Sequence, residues 1–123
     1  MEPISEERQR AIYEFVYSEL KGKDWYIKGG TQALCYDEEG SLVCPIDDYL
    51  QPLYIKHNGE MVPNVQFFID ECVPQLEVEG LRVSWGSKTS MHEGRFLLSM
   101  KYQFRWFVDT DPYAAVSEYL EAK

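Results

Sequence analysis

From Phe96 to Val108, every second residue is apolar: Phe96, Leu98, Met100, Tyr102, Phe104, Trp106 and Val108. The positions between them are Leu97, Ser99, Lys101, Gln103, Arg105 and Phe107. A two-residue period sends alternate side chains to opposite faces of an extended strand, whereas a helix would scatter the same residues around its axis. The spacing therefore predicts one long strand, with a ring-bearing side turned inward and a polar, basic side turned out. At ~3.3 Å per residue such a run would span about 43 Å, roughly twice a typical strand, so a bend or bulge is expected within it.

The rest of the chain supplies helices to cover that strand. Ser5-Glu6-Glu7 opens the first: Ser5 can cap free N–H groups, and two carboxylates sit at the positive end of the dipole. Ala11, Ile12, Phe15, Val16 and Leu20 form its apolar stripe, flanked by Tyr13 and Tyr17, and Lys21-Gly22-Lys23 ends it. Asn64 caps a second helix with an apolar face of Val65, Phe68, Ile69, Cys72 and Val73, and Pro74 is expected to stop it. Asp111-Pro112 starts the last helix, whose face is Ala115, Val116, Tyr119 and Leu120.

Strands fill the intervals. Asp24–Lys28 reads as a short strand broken by Gly29-Gly30. Gln32–Tyr36 and Ser41–Ile46 read as a hairpin around Asp37-Glu38-Glu39-Gly40, with Gly40 at positive φ. A three-residue loop would set Cys35 opposite Val43 and Leu34 opposite Cys44, and a two-residue loop would align the cysteines instead. Pro45–Pro52 reads as a loop or one helical turn. Leu53–Lys56 and Glu60–Val62 flank His57-Asn58-Gly59, whose Asn-Gly pair is the strongest short hairpin signal. Leu76–Trp85 is expected to be extended, with a bulge or tight bend at Gly80, and to pair antiparallel with the long strand across the polar loop Gly86–Gly94.

The predicted fold is one α+β domain over residues 1–123. It has an antiparallel sheet of about five strands, with N-terminal, central and C-terminal helices packed on it in the order α-β-β-β-α-β-β-α. This order is similar to that of class I type III secretion chaperones and of the YbjN-like proteins that share their fold. The resemblance lies in topology and composition, and it implies a small, acidic, often dimeric protein binder.

Composition narrows the function further. A net charge of −9 and a pI near 4.6 disfavour broad nucleic-acid binding and anionic membranes. No run of about 18 apolar residues predicts a membrane span, and the acidic start lacks the pattern of a signal peptide. Three cysteines fit reduced thiols better than a disulfide framework, so the cytoplasm is the expected compartment.

Catalytic and metal-binding patterns are weak. Cys35, Cys44, Cys72, His57 and His92 lack the close pairing of zinc ligands, so neither a metal nor a cofactor is expected. Asp47-Asp48 and Glu38-Glu39 read as solvated turn charges. Gly86-Ser87-Lys88-Thr89 lacks the spacing of a phosphate loop, and Ser90 and His92 lie in no nucleophile elbow.

Charge, however, is uneven. Residues 80–108 carry Arg82, Lys88, Arg95, Lys101 and Arg105 against the single acid Glu93, leaving a net −13 on the remainder. Arg95, Lys101 and Arg105 share one parity of the long strand, and Arg82 is expected to join them. One reading is a solvated face paired with the protein's own acids. The other is a binding strip for an anionic ligand or acidic peptide, with Phe107 and Leu97 as apolar contacts.

The expectation is a protein-binding module, such as a toxin-neutralising immunity protein or a secretion-chaperone-like adaptor, rather than an enzyme. Its acidic surface would suit a basic partner, and a homodimer is compatible with it. The alternative is a small-molecule-binding or enzymatic domain. Its pocket would lie between sheet and helices, lined by Tyr26, Trp85, Tyr102 and Trp106, with His92 or Arg105 acting on the ligand.

Overall fold

The computed structural model describes residues 1–22, 24–28, 32–36, 39–43, 50–100 and 103–123; within 24–43 the side chains described are those of Trp25 and 39–41. The expected features at Gly29-Gly30, Asp37-Glu38, Cys44, Asp47-Asp48, Lys101 and Tyr102 lie outside the described residues, as do the side chains of Tyr26 and Cys35.

The order of elements is α1 (Glu6–Val16), β1 (Asp24–Lys28), β2 (Gln32–Tyr36), β3 (Leu42–Val43), β4 (Tyr54–His57) and β5 (Glu60–Pro63). A central helical run follows, then β6 (Leu81–Trp85), β7 (Phe96–Met100), β8 (Trp106–Asp109) and the last helix (Pro112–Ala122). The fold is α+β with N-terminal, central and C-terminal helices, as expected. The strands are divided among separate antiparallel sheets, β1-β2-β3, β4-β5 and β6-β7-β8, rather than joined in one.

Local chemistry accounts for most boundaries. Ser5 Oγ accepts from Arg8 N at 3.3 Å and opens α1. That helix stops at Tyr17, and a single 3₁₀ turn, Ser18–Leu20, carries Leu20 into the core. Tyr13 is not a rim residue: it is 2% exposed, and its hydroxyl donates to Gln51 O at 2.7 Å. In the first hairpin Cys35 pairs with Val43 and Gly40 has φ +82°, the register of the longer loop. In the second, Asn58 and Gly59 both have positive φ, as a two-residue turn with mirror-image twist requires.

The central helical run departs from expectation at Pro74. Asn64 Oδ1 accepts from Phe67 N and starts α2 (Val65–Phe67); the chain then passes through a π segment (Phe68–Cys72) into α3 (Val73–Val78). Proline lacks the N–H of a helix interior, but the wider π turn re-sets the register so that Pro74 falls in the first turn of α3, where no N–H is needed. The buried positions Phe68, Cys72 and Leu76 recur every fourth residue along this run, while Ile69 is turned outward at 52% exposure. Leu76–Val78 is therefore helical rather than extended. Gly80, at φ +87°, closes the helix with its N–H donating to Glu77 O at 3.0 Å, so the expected bulge or tight bend is a tight bend, between helix and strand.

The largest correction concerns the run from Phe96 to Val108. It is a hairpin and not one strand: β7 and β8 pair antiparallel, and Met100 N donates to Arg105 O at 3.2 Å. Splitting the run removes its improbable length, but the register also inverts one arm. Even-numbered residues of β7 pair with odd-numbered residues of β8 (Leu98 with Phe107, Phe96 with Asp109), so the inward set switches parity across the turn. Leu98 and Phe107 are buried, whereas Trp106 is 55% exposed and Phe104 is fully exposed.

The inner face of β6-β7-β8 meets the helices. The last helix, α4 (Pro112–Ala122), packs on β7, β8 and α1. Its Tyr113, Ala115 and Val116 are fully buried with Phe68, Leu76, Leu98 and Ile12 in one apolar cluster. Trp25 of β1 joins this cluster through an edge-on contact with Tyr13 at 6.0 Å. At the head of α4, Asp111 is only 5% exposed. Its Oδ1 accepts from Tyr113 N at 2.9 Å, and its Oδ2 accepts from the Tyr54 hydroxyl at 2.6 Å.

Candidate functional face of the second three-stranded sheet

Strand pairing fixes what stands on the outer face of β6-β7-β8. One row across the sheet is Arg82, Ser99 and Trp106; the next is Ser84, Leu97 and Val108. Ser99 is small, so the middle of the first row is low and the ends are high. Trp106 and Arg82 flank this dip, and Phe104, in the β7–β8 turn, stands beside it with its ring in solvent. The result is a half-open groove of about 700 Å³ that reaches Gly80, residues 81–83 of β6, Gln103, and Glu77 at the end of α3.

The loop between β6 and β7 shapes the other side of Trp106. His92 lies with its ring centre 5.7 Å from that of Trp106, and its Nδ1 is enclosed without a hydrogen-bond partner. Gly86 makes this placement possible. Its N–H donates to Arg95 O at 2.9 Å, and a Cβ at residue 86 would lie 1.7 Å from His92 O.

The residues singled out from the sequence are only partly brought together. Arg82 is exposed and lines the groove. Arg95 is exposed at the head of β7, tied through its backbone to Gly86. Arg105 has the opposite parity to Arg82, because the β7–β8 turn switches faces, and its guanidinium sits 5.3 Å from the Phe107 ring centre. Phe107 is not a surface contact. It is 6% exposed and packs edge-on against Tyr119 at 5.7 Å. Lys101 lies outside the described residues.

The pocket imagined between sheet and helices is likewise not lined as expected, since Trp106 stands on the far side of the sheet and Trp85 is 55% exposed with its ring against Phe96. Trp106 and Phe104 are the residues that the alternating pattern concealed. The signal for them was the excessive length of the run, which fits two arms better than one.

The electrostatics of this region are unbalanced. Among the described residues the ion pairs are Arg8–Glu121 and Lys123–Glu79, and neither draws on the cations of residues 80–108. Arg82, Lys88, Arg95 and Arg105 thus make no ion pair with a carboxylate among the described residues. Elsewhere the titratable groups belong to the core: burial pushes the Cys72 thiol up to about 12, and burial also raises the Tyr13 and Tyr113 hydroxyls. Among the described residues no cluster of His, Cys, Asp and Glu is arranged to hold a metal, and no helix is long and apolar enough to cross a membrane. No family model, curated protein or solved structure matches this chain.

Proposed function

We propose that the chain is an acidic, cytoplasmic protein-binding module, of the kind that neutralises a toxin or escorts another protein, and that its partner docks on the outer face of β6-β7-β8. The observation that carries this reading is the outward placement of Trp106 and Phe104 beside Arg82, which has no ion-pair partner among the described residues. Tryptophan and arginine are the side chains that most often dominate binding energy at interfaces, because they bury large areas and form directional contacts. Leaving two large rings in water is otherwise unfavourable by roughly 25 cal/mol per Å² of apolar surface. The net charge of −9 supports a second contribution: carboxylates elsewhere on the surface would steer a partner with a basic region into encounter.

The test is a comparison of two proteins in the extract of the source cell. Wild-type protein and a Phe104→Ser/Trp106→Ser double variant are immobilised at equal density, after circular dichroism has shown both to be folded. The expected result is a stoichiometric partner retained by the wild type and lost from the variant. Equal retention by both would place the binding surface elsewhere.

A further inference from the structure

The hydrogen-bonding pattern of β6 bears on what the groove receives. In an antiparallel pair, residues alternate between those bonded to the neighbour and those pointing away from it. Gly86 N donates to Arg95 O, so Gly86 faces β7; by alternation Ser84 and Arg82 also face β7, and Leu81, Val83 and Trp85 turn their N–H and C=O groups outward. Among the described residues no strand pairs with that outer edge. Leu81 and Val83 are also part of the groove wall. Unpaired edge groups of this kind are a template for an added strand.

The geometry points to the β6 edge as the docking site for an extended, acidic segment of the partner, which adds as a fourth strand with a carboxylate against Arg82 and an apolar side chain in the groove beside Phe104. Charge complementarity selects the occupant. Arg82 has no ion-pair partner among the described residues, it is one of the five cations of residues 80–108, and opposite charges on neighbouring strands attract whereas like charges repel. A second copy of the chain would bring its own β6, and so Arg82 close to Arg82. This inference rests on the docking reading above and adds the chemistry and conformation of what docks.

The experiment selects binders from a random twelve-residue peptide library displayed on phage, using the folded wild-type protein. The consensus peptide is then synthesised and its binding measured by fluorescence anisotropy. Enrichment of alternating apolar and Asp or Glu residues is expected. Arg82→Glu should weaken the consensus peptide about tenfold or more at low salt. Val83→Pro removes an N–H that no strand of the sheet uses, so it should leave the circular dichroism unchanged and abolish binding. N-methylation of alternate peptide amides should block binding in one register and spare it in the other.

No enrichment, a basic consensus, or equal effects of both N-methyl registers would overturn the added strand. If peptides fail while capture of the natural partner still depends on Phe104 and Trp106, the edge assignment is wrong and the docking face stands. If capture is indifferent to those two rings, the docking face itself is wrong.

Discussion

The Tyr54 hydroxyl donates to Asp111 Oδ2 across 2.6 Å, joining the β4–β5 hairpin to the head of α4. The same hydroxyl accepts from Ile4 N at 3.2 Å, so the N-terminal arm is tied to the same point. Tyr54→Phe leaves a buried carboxylate oxygen without its donor and should cost about 1–3 kcal/mol at neutral pH, as read by urea denaturation.

Asp111 also gives stability a pH dependence of defined sign. Burial pushes its carboxyl above the ordinary 3.8, opposed by the bonds from Tyr54 and from the Tyr113 and Ala114 amides, while neighbouring Asp109 adds to the rise. A carboxyl that holds its proton more tightly when folded stabilises the fold fully below 3.8 and loses that contribution as pH rises through its folded value. Asp111→Asn keeps a capping oxygen for Tyr113 N and cannot ionise. The variant should show a flatter stability profile than wild type from about pH 4 upward, and an unchanged slope would count against Asp111 as the source.

Asn64 holds three connections at one helix start. Its Oδ1 caps Phe67 N, its Nδ2 donates to Pro52 O at 2.9 Å, and its carbonyl accepts from the Tyr113 hydroxyl at 2.5 Å. Asn64→Ala removes the two side-chain bonds and should lower stability by about 1–2 kcal/mol, with Asn64→Asp recovering the cap but not the bond to Pro52.

Gly86→Ala must displace the loop that seats His92, because the new methyl group would overlap the His92 carbonyl. Overpacking of this kind costs about 1–3 kcal/mol. The accompanying sign should be local: a changed fluorescence of Trp106, measured with Trp25 and Trp85 replaced by Phe, as the His92 ring moves away.

How far the sequence could be read follows from how local each signal is. The caps at Ser5, Asn64 and Asp111 and the Asn58-Gly59 turn were legible because each depends on a few adjacent residues. The α+β class followed from their order. The π segment was not legible, since a proline inside an apolar helical pattern normally marks an end and only tertiary burial of Phe68, Cys72 and Leu76 favours continuing. The β7–β8 hairpin was hidden by a coincidence of parity. The alternation runs unbroken through residues 101–105, so nothing in the period reveals that the inward side has changed, and the basic strip inferred from one parity is split between two faces. Arg82 was found because its strand is continuous; Phe104 and Trp106 were missed because they lie in the turn and beyond it.

The measurement that bears most directly on this account is the stability of two adjacent truncations, Trp106→Ala and Phe107→Ala, determined by guanidinium denaturation under identical conditions. Phe107 is buried against Tyr119 and Trp106 stands outward, so the account predicts a loss of about 3–5 kcal/mol for Phe107→Ala and about 1 kcal/mol for Trp106→Ala. The reverse order would mean that the tryptophan faces the helices, that the run is a single strand after all, and that the proposed docking face does not exist.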